Sequence, residues 1–293
     1  LSLIFWANSK NFLKKNYSIV LITIIVLIDL WTIDMKYVNE ESFSRASKVK
    51  APFTINEIDK ELFKDNSHFR IYEPYRGFVN GRSSYFHNSI SGYHAAKPKR
   101  IQDLYDFYLS KNKFNVLNML NVKYLIDLNE SNSLSLSLNK ENLGNAWFVE
   151  NLVKVESGNE EVLMLDNLNY SKDCLSTELE NKTYKQDPSN KIDLISRKAN
   201  ELVYEYNSSF ENFIVFSEAY YSKGWQAYID DKKVDHSRIN YLLRGMEVPK
   251  GEHTIKFVFK PNVINTGSFI MGSSNFILLI LIVLYFKREL RYV

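Results

Sequence analysis

Two long apolar segments lie near the two ends of the chain, and the sequence between them mixes polar and apolar positions. The first covers about residues 17–33 and contains one charge, Asp29, while the second covers about residues 264–286. A helix needs roughly 17–25 residues to cross the hydrocarbon core of a bilayer. Because a helix in a soluble core is rarely apolar on every side over such a length, the pattern predicts two transmembrane helices.

The charges beside these two segments predict their orientation. Basic residues favour the cytoplasmic side of a membrane, and long loops cross the membrane regardless of their own charge. The region between the helices, about residues 36–262, is therefore expected on the extracytoplasmic side. Asp29 either reaches interfacial water or contacts a partner helix or substrate inside a larger bundle. The flanking cations are Lys10, Lys14, Lys15, Lys287, Arg288 and Arg291.

The first part of the intervening region alternates between helical and strand periodicity. Apolar residues at helical spacing predict helices, period-two alternation predicts strands, and stretches rich in Gly, Asn and Ser predict loops. The predicted helices cover residues 54–63, 100–109, 114–121 and 160–168; the strands cover 68–72, 122–128 and 146–155; the loops cover 77–92 and 129–139.

From about Lys191 onward, strand signals dominate and lead directly to the second apolar segment. Turn residues at 230–233 and 249–252 separate some of these strands. This density of short strands predicts a β-sandwich-like module over residues 191–263. The predicted strands are 192–196, 201–206, 213–220, 225–229, 241–248 and 253–259.

Together these patterns predict an α+β protein. Two transmembrane helices flank an extracytoplasmic mixed α/β domain, and this domain ends in the β-sandwich-like module. The expected divisions are a cytoplasmic-side segment with the first transmembrane helix, an α/β region, the β-rich module, and a transmembrane helix with a basic tail. Their boundaries are 1–37, 38–190, 191–263 and 264–293.

Composition and motifs exclude several kinds of functional site. The formal net charge of +3 gives no indication of a nucleic-acid partner. The single cysteine, Cys174, excludes an intrachain disulfide and a Cys-rich zinc site. The five histidines form no HExxH motif, and the chain has neither a nucleophile elbow nor a phosphate-binding P-loop. We therefore expect no metal and no cofactor within this chain.

Cationic and polar residues gather just before the predicted helix at 100–109. A helix N-terminus with nearby Lys and Arg can hold a phosphate or another anion, and a lipid phosphate would suit a position near the membrane. The alternative is a solvated basic loop that precedes the helix. The candidate anion-binding residues are Tyr93, His94, Lys97 and Arg100.

Aromatic residues gather around the predicted strand at 225–229. Aromatic faces can stack on sugar rings, with a carboxylate or guanidinium group beside them for hydrogen bonds. The alternative is that these rings fill the core of the β-rich module. The candidate glycan contacts are Glu218, Tyr221, Trp225 and Arg244.

Several strings occur in an order that resembles the C-terminal region of the bacterial YfhO-type membrane proteins. The resemblance spans nearly the whole region between the apolar segments, and both segments. One departure is Asp231-Lys232, where the family pattern has Asp-Gly at a hairpin. The strings are SGYHAAK (91–97), RIQDL (100–104), NVLNMLNVKY (115–124), LGNAWFV (143–149), FSEAYYSKGW (216–225), AYID (227–230), NYLLRG (240–245) and VPKGEH (248–253).

The resemblance implies a multi-pass protein of the bacterial cytoplasmic (inner) membrane. Such proteins are similar to integral-membrane glycosyltransferases that use sugars on lipid phosphates to modify cell-surface glycans. The implied partners are membrane lipid, a lipid-linked sugar and a cell-surface glycan. Because the chain starts with Leu1 inside an apolar run, we expect a longer protein. The resemblance implies that its catalytic residues lie in an upstream part, so no catalytic residue is expected in this chain. The alternative is a non-catalytic glycan- or protein-binding module of a membrane assembly or transport protein.

Overall fold

The computed structural model describes residues 2–289 of the chain, and the side chains of residues 4–288. The chain divides after Asn56 into two compact units. The first unit contains helices α1 (Ser2–Ser9), α2 (Lys15–Tyr37) and α3 (Ala46–Lys50). The second unit begins at Glu57 and contains all of the described strands.

Helix α2 contains the first predicted membrane segment and extends it at both ends. It has 23 residues, and only 6% of its most apolar stretch is buried. The helix has neither Gly nor Pro, and every backbone group in a bilayer must be satisfied inside its own segment, which a continuous helix achieves. An exposed apolar helix of this length is suited to a lipid environment.

The second predicted membrane segment lies in helix α8 (Asn262–Glu289), which has 28 residues and follows Pro261 directly. None of its most apolar stretch is buried. Lys287 and Arg288 lie in its last turn, whereas Arg291 lies outside the described residues. The prediction of an apolar helix near each end of the chain is confirmed.

Besides α8, the described part of the second unit contains four α-helices and fifteen strands. The helices are α4 (Glu57–Leu62), α5 (Arg82–Phe86), α6 (Lys99–Phe107) and α7 (Gly158–Met164). The first seven strands are β1 (Arg70–Tyr72), β2 (Val122–Leu128), β3 (Leu134–Leu138), β4 (Ala146–Val149), β5 (Asn151–Lys154), β6 (Asp173–Ser176) and β7 (Lys182–Thr183). The last eight are β8 (Lys191–Lys198), β9 (Glu201–Ser208), β10 (Asn212–Ala219), β11 (Trp225–Ile229), β12 (Lys232–Val234), β13 (Ser237–Ile239), β14 (Leu243–Val248) and β15 (Gly251–Phe259).

Two antiparallel sheets dominate the C-terminal half of this unit. Their strand orders are β13-β14-β10-β4 and β12-β11-β15-β9-β8. Residues of both sheets form one buried hydrophobic cluster, to which the first sheet contributes Ile214 and Phe216, and the second Tyr204 and Phe257. The other face of the four-stranded sheet contributes Phe213 and other residues to a larger cluster with the preceding part of the chain. Strand β4 comes from before residue 191, so the four-stranded sheet draws on both sides of the predicted division at 190, which stays a prediction.

Two smaller sheets complete the unit, with the orders β1-β2-β3 and β6-β5-β7. Strands β1 and β2 are parallel, as are β5 and β6, and the other two pairs are antiparallel. Together with the helices they confirm a mixed helix-and-sheet chain.

Several local predictions were wrong. The predicted loop at 77–92 contains α5, and the predicted loop at 129–139 contains β3. The predicted strand at 146–155 is two strands separated at Glu150, and the predicted helix at 114–121 contains only a 3₁₀ turn at Asn115–Leu117. Strand β3 pairs with β2 over five residues, and Leu134 and Leu136 pack against a buried cluster, which favours a strand despite the Ser-rich composition.

Candidate functional site

A cleft of about 480 Å³ lies beside the first turn of α8. Three segments that are separate in sequence form its walls: the connection from β10 to β11, the segment of β12 and the residues after it, and the connection from β15 to α8. The lining residues that carry its chemistry are Tyr220, Lys223, Trp225, Lys233, Asp235, His236 and Lys260.

Trp225 is held in the wall of this cleft by packing against a buried cation. The guanidinium carbon of Arg244 lies 4.1 Å from the centre of the Trp225 ring, and Arg244 is only 2% exposed. Its Nε donates a hydrogen bond to the carbonyl oxygen of Ala219 over 2.9 Å. Burial lowers the pKa of Arg244 to about 10, so the group remains charged at neutral pH. Arg244 therefore supports Trp225 from within the protein.

The other two predicted glycan contacts have different surroundings. Glu218 forms an ion pair of 2.8 Å with Arg70 and lines a separate, smaller cavity of about 200 Å³. Tyr221 is half-exposed, and its ring centroid lies 6.4 Å from that of Phe259, which also contacts Trp225. The structure thus brings Trp225, Arg244 and Tyr221 into one neighbourhood, and it places Glu218 at another cavity. The roles of all four as glycan contacts stay predictions.

Three lysines line the cleft without a carboxylate partner. Among the described residues, Lys223, Lys233 and Lys260 take part in no ion pair, and Asp235 is the one carboxylate that lines the cleft. Sequence analysis missed these lysines because they come from different segments. One available signal was the position of Lys260, immediately before the apolar segment.

His236 also lines the cleft, and its Nε2 has no hydrogen-bond partner within the described residues. Its ring contacts Tyr220 and Phe257, with centroid distances of 5.4 and 5.5 Å. Burial, helped by the positive charge of Arg244, lowers the pKa of His236 to about 4. The imidazole is therefore neutral near pH 7 and retains one nitrogen that can donate or accept a hydrogen bond.

The four predicted anion-binding residues lie before or at the start of α6, as expected, but their side chains have separate partners. Tyr93 is largely exposed, and Nδ1 of His94 accepts a hydrogen bond from the backbone N–H of Ala96 over 3.1 Å. Lys97 lies 4.6 Å from the centre of the Phe78 ring and also contacts Gln102. Anion binding by these residues stays a prediction.

Arg100 braces a turn in the neighbouring sheet. Its guanidinium stacks 4.4 Å from the centre of the Tyr241 ring, and its Nη1 donates to the carbonyl oxygen of Tyr241 over 3.2 Å. The same oxygen accepts a hydrogen bond from Arg238 over 3.3 Å, and Arg238 pairs with the fully buried Glu161. The backbone N–H of Tyr241 donates to Glu161 over 2.8 Å. We call these four residues the Tyr241 network.

The described residues contain no group of three or more His, Cys, Asp or Glu side chains that could hold a metal ion. Cys174 is buried, and burial raises the pKa of its thiol, so it is not a reactive thiolate. The cleft itself is lined by three cations, one carboxylate, one neutral histidine and aromatic rings, all of which can contact a ligand.

Residues 153–271 match the model of a family described as bacterial membrane protein YfhO. The matched region contains strands β6 to β15, the whole cleft and the first turns of α8. Comparison with curated proteins and with solved structures finds no match. Within residues 153–271, the match confirms the resemblance found in the sequence, and the two apolar helices agree with a membrane location. Over residues 153–271, this chain is therefore similar to the bacterial membrane protein YfhO family.

Proposed function

We propose that this protein handles a sugar carried on a lipid phosphate and serves the glycosylation of a cell-surface glycan. In this proposal the unit beginning at Glu57 is an extracytoplasmic domain of a multi-pass protein of the cytoplasmic (inner) membrane. The domain binds the lipid-linked sugar or orients it for transfer. Its β-rich part acts as a β-sandwich-like platform for the cleft.

The position of Trp225 carries this proposal. Its ring lines a cleft that also includes Asn262 and Val263, the first residues of the apolar helix α8. Aromatic rings offer flat apolar faces beside polar groups, which suits the apolar faces of sugars. A sugar attached to a membrane lipid would reach a cleft at this height above the bilayer without leaving its anchor.

The charges at the helix ends support the proposed sidedness. Lys14 and Lys15 stand at the start of α2, and Lys287 and Arg288 stand in the last turn of α8. If both pairs face the cytoplasm, the domain between the helices is extracytoplasmic. A single-cysteine label in the hairpin between β2 and β3 tests this directly, with Cys174 replaced by Ser. Labelling of intact spheroplasts by a membrane-impermeant maleimide is expected, and labelling only after lysis would refute the sidedness.

The cleft contributes binding in this proposal, and the chemistry of transfer belongs to another part of the protein. Reactions at glycosidic bonds commonly use a pair of carboxylates. Among the residues that the structure describes, one carboxylate, Asp235, lines the cleft. The chain by itself is therefore expected to show no sugar transfer, and measured turnover by this chain alone would contradict the assignment.

Binding of a polyprenyl-phosphate-linked hexose to the full chain in lipid nanodiscs tests the proposal. Trp225→Ala is expected to reduce retention of the radiolabelled lipid at least tenfold, and Trp225→Phe to restore most of it. Phe107→Ala is a control, because Phe107 is an exposed aromatic residue outside the cleft. Equal retention by the wild type and Trp225→Ala would overturn the proposal.

A second candidate is a non-catalytic module that binds glycan or protein within a membrane assembly or transport system. The single carboxylate in the cleft favours it. The same nanodisc measurement separates the two. A free glycan that competes fully with the hexose-bearing lipid supports the module, whereas binding that requires the lipid phosphate supports the first proposal.

A further inference from the structure

We infer that the cleft beside α8 holds the phosphate group of a lipid headgroup, with Lys223, Lys233 and Lys260 as its cationic ligands. This inference rests on the proposed function for its lipid-linked sugar, and it adds the site and the charge recognition. The phosphate is a monoester or diester at the membrane surface, and the lipid chain remains in the bilayer.

The first observation is that positive charge exceeds negative charge in the cleft. Three lysines from three separate segments face one carboxylate, Asp235, and none of the three forms an ion pair among the described residues. Some lysines elsewhere in the unit have partners, as Lys123 does with Asp65 at 2.5 Å and Lys182 with Glu211 at 2.8 Å. What distinguishes the three cleft lysines is that they line one cavity. An anion in the cleft would therefore meet cations that have no competing carboxylate.

The second observation concerns His236, whose Nε2 is buried and has no hydrogen-bond partner among the described residues. Buried polar atoms in folded proteins are nearly always hydrogen-bonded, so an orphaned one in a cleft wall points to a missing ligand. A phosphate oxygen that accepts a hydrogen bond from Nε2–H would satisfy it, once the ring turns to bring this covered atom to the surface of the cleft. A neutral imidazole can make this bond together with the lysines without adding another charge.

The position of the cleft beside helix α8 favours a lipid headgroup over a soluble phosphate. Asn262 and Val263 line the cleft and begin α8, while Lys260 lies immediately before Pro261. The N-terminus of this 28-residue helix adds free N–H groups and a positive dipole end beside the cations. Lysines at this height lie where lipid phosphates lie, and their long side chains reach toward that layer.

The test uses the full chain in nanodiscs of phosphatidylcholine, with radiolabelled polyprenyl phosphate that carries no sugar. The triple variant Lys223→Gln, Lys233→Gln and Lys260→Gln is expected to bind at least tenfold more weakly, and the corresponding triple Lys→Arg variant to retain binding. The matched control is Lys140→Gln, Lys185→Gln and Lys250→Gln, which removes the same charge from exposed lysines outside the cleft. Its affinity is expected to stay within twofold of the wild type.

Equal losses in the two triple variants would overturn the site, because they would show a general charge effect. Binding of the corresponding polyprenyl alcohol as tightly as the phosphate would overturn the phosphate assignment. Inorganic phosphate that binds as tightly as the lipid would overturn the headgroup assignment. If the cleft variant binds normally while Trp225→Ala still loses the hexose-bearing lipid, this inference falls and the proposed function stands.

Discussion

The Tyr241 network and the cleft beside α8 both concentrate cations, but they differ in what those cations contact. In the Tyr241 network, Arg100 and Arg238 both donate to the same carbonyl oxygen, and Arg238 pairs with Glu161. In the cleft, Lys223, Lys233 and Lys260 line open space and form no ion pair among the described residues. The first arrangement stabilises the chain, and the second leaves charge available for a ligand.

The backbone explains why the network needs its cations. Asn240 and Tyr241 both have positive φ, of 50° and 68°, which is unfavourable for residues with a Cβ atom. The turn persists because its polar groups are bonded on several sides, including a 2.8 Å bond from the N–H of Leu175 to the side chain of Asn240. A basic residue in a sequence therefore indicates a ligand only where the fold provides no internal partner.

The largest effect is expected from Arg238→Met, which leaves the buried Glu161 without its counter-ion. The free energy of unfolding should fall by about 3–5 kcal/mol. Guanidinium unfolding of the detergent-solubilised chain, followed by tryptophan fluorescence, measures it. Lys223→Met should change the same quantity by less than about 0.5 kcal/mol, because it removes no partnered charge.

The double variant Arg238→Met with Glu161→Leu is the control for this prediction. It removes both buried charges, so it should recover much of the stability that the single variant loses. If the single and double variants lose equal amounts, the unpaired carboxylate is not the cause. If Lys223→Met is as destabilising as Arg238→Met, the contrast between the two regions is wrong.

A smaller loss of stability is expected from Gly224→Ala, a substitution at a residue that lines the cleft. A Cβ atom there would lie 2.1 Å from a ring carbon of Phe259, which packs against Trp225 with a centroid distance of 5.3 Å. Overpacking of this kind costs about 1–3 kcal/mol, and the displaced ring should also weaken binding of the hexose-bearing lipid. Thermal unfolding and nanodisc binding measure the two effects.

Gly81→Ala is the matched control, because Gly81 has a φ of −89° and no atom within 4 Å of an added Cβ. Its stability should remain within about 0.5 kcal/mol of the wild type. Equal destabilisation by the two substitutions would show that contact with Phe259 is not the cause of the loss.

Arg100→Ala tests the Tyr241 network, the region in which the cations have internal partners. Loss of the stacking on Tyr241 and of one hydrogen bond should lower the free energy of unfolding by about 1–2 kcal/mol. Binding of polyprenyl phosphate should stay unchanged, because the cleft is intact. If Arg100→Ala or Lys97→Ala weakens that binding without a loss of stability, the sequence-based anion site before α6 is correct.

The sequence predicted those features that depend on local pattern. The apolar segments predicted α2 and α8, and strand signals predicted β2 and β11 with the bounds that the structure has. Helix α5 was missed, because it lies in a Gly- and Ser-rich stretch and begins at Arg82, whose guanidinium pairs with Asp59 of α4. Such a buried ion pair joins residues far apart in sequence, so no local pattern shows it.

The same limit applies to the cleft. Trp225 and Lys223 lie in one string of the family resemblance, and Trp225 was recognised for its aromatic character. Lys233, His236 and Lys260 join them only after β12, β11 and β15 pair in one sheet. Whether a cation has a partner is a property of the fold, which the sequence does not display.

The smallest expected effect is a pH dependence that originates at His236. Its pKa is lowered to about 4 in the folded state, while the unfolded chain has an ordinary value near 6.5. As the pH falls from about 6.5 to about 4, the unfolded chain takes up a proton that the folded chain does not, so stability decreases over this window. The loss should be on the order of 1–2 kcal/mol, because solvent partly screens the ring. The difference between the wild type and His236→Phe isolates it from other titrating groups.

The charged groups around the His236 ring connect this pH dependence to ligand binding in the cleft. Arg244 from β14 opposes protonation and Asp235 favours it, and the three lysines line the same cleft. A phosphate bound among those lysines would favour the protonated form and raise the pKa of His236. In the presence of polyprenyl phosphate, the pH-dependent difference between the wild type and His236→Phe should therefore shrink, and the NMR titration of the His236 ring should move to higher pH. An unchanged titration would mean that no phosphate lies near His236, and the contrast between partnered and free cations would then have no functional consequence at this cleft.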